Sequence, residues 1–169
     1  EKMLYYIPRQ NEDLSTAEIV VPRVETLVDF VGSPVVSGDL TIAGRKKITG
    51  QVQYVTMRGL TFAHADWGLQ KVGDSAGKAT CQAGTVLTAY STQNWHYDMY
   101  RNLDTMPGAI QLEYAHNIKI LDSTVKLTGA EGINMKNDVV DCEVSGTYFY
   151  QTGGSAIVAR TLGEGKPEL

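Results

Sequence analysis

The chain has 169 residues, 43% of them hydrophobic and 20% charged, with a formal net charge of −4. This balance suits one globular domain. It excludes a nucleic-acid partner held by general electrostatics, because no long run of like charges occurs and the one basic cluster, Arg45-Lys46-Lys47, reads as a solvated turn. No apolar stretch approaches the roughly 18 to 20 residues that a membrane-spanning helix requires, and two cysteines, Cys81 and Cys142, are too few for a disulfide framework.

In chain order, the first fifty residues are β-rich but irregular. Met3 to Ile7, Ala17 to Val21, Leu27 to Val31 and Thr41-Ile42 read as extended segments. Pro22, Gly32-Ser33-Pro34, Ser37-Gly38 and Gly44 separate the later ones. Leu27, Phe30 and Val31 are expected to complete an early rung. Val55, Met57 and Phe62 then open a pattern that recurs as Ile118, Ile120 and Val125 and again as Cys142, Val144 and Phe149, at spacings of 63 and 24 residues. In the same phase, Ile110, Ile133 and Ile157 recur at 23 and 24 residues.

A period in the twenties, built from short alternating strands and Gly or Asn turns, is the mark of a solenoid whose units are stable only when stacked. The best unit runs from 109 to 132. Ile110 and Leu112 point inward while Gln111 and Glu113 point outward, by the two-residue period of a strand. After a turn at Tyr114–Asn117 come Ile118 and Ile120, and after a bend at Asp122-Ser123 come Val125 and Leu127. The expectation is an all-β, right-handed parallel β-helix with three strands per rung, the hand that parallel crossovers take. Residues 1–169 then form part of one domain. The chain opens without an initiator Met and shows no polar cap after Ile157, so a piece of a longer protein is expected, with its remaining rungs and targeting signal elsewhere.

The 63-residue spacing exceeds one rung by 39 residues, which places a long inserted loop at 65–107. Loops beyond about 12 to 15 residues are functional or disordered. This one carries Trp67, Tyr90, Trp95, Tyr97 and Tyr100, with His96 and Asp98 among them. Aromatic faces beside hydrogen-bonding groups suit a sugar, although the same aromatics could equally pin the loop to the barrel. Because the loop joins a third strand to a first strand, it should stand beside the sheet that carries Gln111, Asn134 and Val158. Stacked rungs would align Glu113, Lys136 and Arg160 as an outward ladder there, either a substrate floor or a neutralised exposed edge.

Glycoside hydrolysis needs two carboxylates, and Glu113, Glu131, Asp138 and Asp141 all lie on first strands or the adjoining turns. From these, Glu113, Asp138 and Asp141 are the catalytic candidates, with Trp95, His96, Tyr97, Lys136 and Arg160 as the substrate-binding set. The three histidines show no metal-ligand spacing. His116 reads as solvated, His64 as bordering the core, and Cys142 as a small core residue.

An ordered series of segments resembles a known family. Leu4-Tyr5-Tyr6-Ile7-Pro8-Arg9, Glu12-Asp13, Ala17-Glu18-Ile19-Val20-Val21-Pro22 and Leu27-Val28 come first. Met57-Arg58-Gly59-Leu60-Thr61-Phe62-Ala63-His64, Gln82-Ala83-Gly84 and Pro107-Gly108-Ala109-Ile110-Gln111-Leu112-Glu113-Tyr114 follow. The series is similar to the secreted bacterial β-helix proteins of the pectin-lyase-like superfamily, nearest to β-helix glycoside hydrolases with α-L-fucosidase and xylanase activities. That resemblance implies a secreted or periplasmic enzyme acting on plant cell-wall polysaccharides without a redox cofactor. It also implies that the family's catalytic acids lie on rungs C-terminal to Ile157. The segment Val35–Gln51 is longer than the family's usual link.

Three functions fit these features. A glycoside hydrolase uses the acids and the aromatic loop; a polysaccharide lyase would instead use Ca²⁺ held by Asp138 and Asp141 with Lys136 or Arg160 as base. A non-catalytic adhesin or tailspike-like scaffold would use neither.

Overall fold

The computed structural model describes residues 3, 5–42, 45–67, 71–72, 75–76, 85–87 and 103–159, those at 35–49 and 68–105 through their backbone alone. Every regular element among the described residues is a strand. Rung 1 starts at β1 (Val28–Val31), is interrupted by β2 (Ser33–Ile42) and β3 (Arg45–Gly50), and resumes with β4 (Val52–Gln53), β5 (Thr56–Arg58) and β6 (Thr61–Ala63). The long insertion carries β7 (Lys71–Val72), β8 (Ser75–Ala76), β9 (Thr85–Leu87) and β10 (Leu103–Thr105). Rung 2 is β11 (Gly108–Glu113), β12 (Ala115–His116), β13 (Lys119–Leu121) and β14 (Thr124–Thr128). Rung 3 is β15 (Glu131–Met135), β16 (Val139–Val140), β17 (Glu143–Ser145) and β18 (Tyr148–Thr152), and β19 (Ile157–Ala159) begins a fourth.

The rungs pair in parallel to give four sheets, β1-β11-β15-β19, β4-β12-β16, β5-β13-β17 and β6-β14-β18. The all-β parallel solenoid expected from the periodicity is therefore present. Its rungs have four ladders, because Ala115-His116, expected within a turn, pairs with Val52-Gln53 below and Val139-Val140 above. A two-residue strand carries too little alternation to stand out from a turn in sequence.

The register stacks like on like. Val28, Ile110, Ile133 and Ile157 form one interior column, Met57, Ile120 and Val144 another, and Phe62, Val125 and Phe149 a third. In rung 2, which has a rung on each side, Ile110, Leu112, Ala115, Ile118, Ile120 and Val125 are at most 1% exposed. Each buried aliphatic side chain contributes about 1.5–3 kcal/mol relative to exposure. In rung 3, Val139, Cys142, Val144 and Phe149 are only partly buried, and Ile157 on the last strand is 41% exposed. Interior position thus guarantees burial only when both neighbours are stacked, as expected of a one-dimensional repeat. Cys142 is a free thiol on the inner side, where its Sγ accepts a hydrogen bond from the Ile118 amide.

Corners are made by left-handed residues that also stack. Tyr54 (φ 61), Asn117 (φ 55) and Asp141 (φ 52) form one column; Gly59 (φ 68), Asp122 (φ 48) and Gly146 (φ 61) form a second; His64 (φ 63), Leu127 (φ 53) and Gln151 (φ 51) form a third. A left-handed residue reverses the curl of the chain and restarts a strand in a new direction, at about 1–2 kcal/mol for residues other than Gly. The third column corrects one expectation. Leu127, expected to point inward, is itself the bend and is exposed, so the buried position passes to Thr128, whose hydroxyl donates to the Ala130 carbonyl at 3.1 Å. Thr152 repeats this one rung later, donating to the Gly154 carbonyl at 3.0 Å.

Three further expectations change in the N-terminal part. In β1 the inward residues are Val28 and Phe30, which face Ile110 and Leu112, while Leu27 and Val31 are exposed. Ala17–Val21 forms no strand, and Ile19, Val20 and Val21 stay exposed because no backbone among the described residues pairs with them. Arg45-Lys46-Lys47, expected as a turn, opens β3, which pairs antiparallel with β2 in the segment that leaves rung 1 after Gly32 and returns at Val52. Gly32 sits where a Cβ would come within 2.2 Å of the Tyr114 carbonyl oxygen, so the departure point admits no side chain.

Candidate functional site

The sheet expected to form a substrate floor is partly roofed. By alternation Ala109, Gln111 and Glu113 of β11 and Asn134 and Lys136 at β15 face outward. Yet Ala109 and Asn134 are buried, the latter donating from Nδ2 to the Met106 carbonyl at 2.8 Å. The end of the insertion therefore lies across the first half of this face, where Met106 is also buried. The expected adjacency of insertion and sheet is seen at Met106, while the part of the insertion that carries Tyr90, Trp95, Tyr97 and Tyr100 lies outside the described residues. An open groove along the whole row is not seen. Glu113 and Lys136, further along, are half-buried and accessible. Glu131, considered among the acids, is 1% exposed, and its carboxylate would touch a Cβ added at Gly154, so it is part of the interior and not of a substrate surface. Trp95, His96, Tyr97 and Arg160 lie outside the described residues.

The accessible acids gather where the first sheet turns into the second and third. Rung 2 places two residues, Glu113 and Tyr114, between Leu112 and Ala115; rung 3 places three, Lys136, Asn137 and Asp138, between Met135 and Val139. This extra residue turns the 23-residue spacing into 24. It also sets Asn137 over Glu113, whose Oε1 accepts from Asn137 Nδ2 at 2.9 Å. Backbone bonds lock the corner, Lys136 N to Leu112 O at 2.8 Å, Tyr114 N to Asn137 O at 2.7 Å and Ala115 N to Asp138 O at 3.2 Å. Gln51, at the end of the interrupting segment, donates from Nε2 to the same Asp138 carbonyl at 3.2 Å. The Asp138 side chain is left exposed.

Asp141 stands at the next corner, separated from Asp138 only by β16, so their Cα atoms are at most about 11 Å apart. Its Oδ2 lies 3.2 Å from His116 Nε2, and the His116 ring packs against Tyr54 with centroids 5.7 Å apart and planes tilted by 60°. Beyond it, Lys119 pairs with Glu143 at 3.5 Å across the third sheet, and Arg58 with Asp122 at 3.0 Å at the following corner. Such exposed pairs contribute about 0–1 kcal/mol each. They fix the local charge more than the stability.

Of the sequence candidates, Glu113, Lys136, Asp138 and Asp141 thus fall on one continuous surface. Sequence reasoning does not find His116 and Tyr54: His116, expected to be solvated, is held on one side by a carboxylate and on the other by a ring. The register carries their signal, since Tyr54, Asn117 and Asp141 share the phase of the interior columns. Among the described residues no group of three or more His, Cys, Asp or Glu side chains comes together to hold a metal ion. No family model, curated protein or solved structure matches the chain.

Proposed function

We propose that this chain is part of a β-helix glycoside hydrolase that acts on plant cell-wall or related polysaccharides outside the cytoplasm, with further rungs of the parent protein as its structural partner. The observation that carries the reading is the placement of Glu113, Asp138 and Asp141 on one accessible strip formed by adjacent rungs. Cleavage requires one carboxyl group to give a proton to the leaving glycosidic oxygen and a second to activate water or attack the anomeric carbon. The two stand about 5–5.5 Å apart in retaining enzymes and about 6.5–9.5 Å in inverting ones. Backbone spacings of about 4.8 Å between rungs and at most about 11 Å between the two aspartate corners bracket these separations. The ordered resemblance to β-helix glycoside hydrolases supports the hydrolase class but not these three acids, since it places the catalytic acids beyond Ile157.

The test is release of reducing ends from plant-wall oligosaccharides by the protein and by Glu113→Gln, Asp138→Asn and Asp141→Asn. Loss of a positioned acid or base should lower turnover about 10²–10⁴-fold in at least two of the three while the melting curve is kept. Undiminished turnover in all three would remove these acids from the mechanism. An unsaturated product would favour a lyase, and no turnover by the wild type a scaffold.

A further inference from the structure

We propose that Tyr54, His116 and Asp141 form a subsite for one neutral pyranose ring of the glycan, an assignment that rests on the carbohydrate reading above and narrows it to uncharged sugars. The three residues come from three successive rungs at one corner. Tyr54 and Asp141 occupy the same left-handed position in rungs 1 and 3, and His116 directly precedes it in rung 2. With rungs about 4.8 Å apart, the row spans about 10 Å, the scale of a single sugar ring with its hydroxyls.

Each member has a function in such a site. Tyr54 is 68% exposed, and its ring packs at a tilt against the imidazole, a contact that favours one orientation over others. It adopts φ 61, a conformation rare for an aromatic residue, where rungs 2 and 3 use Asn117 and Asp141, residue types that tolerate it. An exposed aromatic face stacks on the C–H face of a sugar.

His116 contributes polarity. In the neutral ring, with Nε2–H donating to Asp141 Oδ2 at 3.2 Å, Nδ1 carries the lone pair and meets no protein donor among the described residues. A carboxylate that fixes the tautomer in this way makes the opposite nitrogen a directed acceptor for a hydroxyl proton. Asp141, whose side chain is 73% exposed, keeps acceptor capacity on its other oxygen.

Charge selects among sugars. Asp141 brings one carboxylate to the row, Asp138 and Glu143 lie three and two residues from it along the chain, and Lys119 is already engaged by Glu143 at 3.5 Å. A uronate would bring a further carboxylate into this acidic field. A neutral ring presents hydroxyl donors to acceptors.

The experiment titrates xylohexaose and hexagalacturonate into the protein by calorimetry, with the His116 ring nitrogens followed by NMR. The expected result is saturable binding of xylohexaose, a shift of the Nδ1 resonance on saturation, and at least tenfold weaker binding of hexagalacturonate. Tyr54→Ala and His116→Ala should each weaken xylohexaose binding about tenfold with unchanged melting. Tyr148→Ala, on the outer face of the fourth sheet, should bind as the wild type does. If oligosaccharides are bound and cleaved but both corner variants behave as the wild type, or the acidic probe binds more tightly, the subsite is wrong and the hydrolase reading stands. If neither probe binds and nothing is cleaved, both are wrong.

Discussion

Ile133→Ala is expected to lower the unfolding free energy by about 2–5 kcal/mol, read as a shift of the urea midpoint. Ile133 is fully buried, with Ile110 below it and Ile157 above. The cavity left by truncation would lie between two stacked rungs that cannot collapse without breaking their ladders. The same substitution at Ile157, one rung higher in the same column but 41% exposed, removes far less buried surface and should cost about 1 kcal/mol. In a stacked repeat the cost at each position depends on having neighbours to both sides. Equal losses at the two positions would contradict the stacking described here.

Gly153→Ala should have the second largest effect, about 1–3 kcal/mol or more, because the new methyl meets backbone and not a movable side chain. A Cβ there would stand 2.1 Å from the Gly129 carbonyl oxygen, one rung below, and that stretch is already tied by the Gly153 N to Thr128 O bond of 2.7 Å. Gly59→Ala is the control. Gly59 has φ 68 but nothing within 4 Å of an added Cβ, so only the conformational penalty of about 1–2 kcal/mol applies. Thermal unfolding of both variants checks the order, and a Gly153→Ala protein as stable as the wild type would mean that the rungs do not approach this closely.

The interior is legible in the sequence because it repeats. Val55, Ile118 and Cys142, or Phe62, Val125 and Phe149, recur at fixed spacing, and stacked rungs are what set apolar residues in register at such intervals. What escapes is whatever breaks the alternation. Leu127 falls on an inward phase only if the alternation is carried straight through a left-handed bend, and that bend moves the buried position to Thr128. Val28 takes the inward place expected of Leu27 and Val31 in rung 1 because β1 pairs with β11 in the register that sets Val28 on Ile110 and Phe30 on Leu112, and the interruption after Gly32 hides that phase in the sequence. Asn134 does lie on the outer side of its sheet, but the insertion lies over it. That is a tertiary contact without local signature.

The site shows the same division. Glu113, Asp138 and Asp141 are visible as acids next to turns, and their common strip follows from the register. The roles of His116 and Tyr54 are not visible, since a histidine in a turn acquires a partner only once Asp141, 25 residues away, is stacked over it. The single extra residue in rung 3 that brings Asn137 to Glu113 is present as the difference between the spacings of 23 and 24, but its position within the rung is not.

Everything proposed for the corner depends on parallel rungs in which a residue faces its counterpart 24 positions later, and a pair of engineered cysteines reads this directly. Lys126 and Tyr150 are partners on the outer face of adjacent strands, so Lys126→Cys with Tyr150→Cys places two Cα atoms about 4.8 Å apart, within the range of about 4.4–6.8 Å that a disulfide spans. Lys126→Cys with Tyr148→Cys shifts the second cysteine by two residues along the strand, beyond that range. In a Cys81→Ala, Cys142→Ala background, mild oxidation followed by mass mapping of tryptic fragments should find the 126–150 bridge in high yield and no 126–148 bridge. A 126–148 bridge formed as readily, or no 126–150 bridge at all, would contradict the register and with it the alignment of Tyr54, His116 and Asp141.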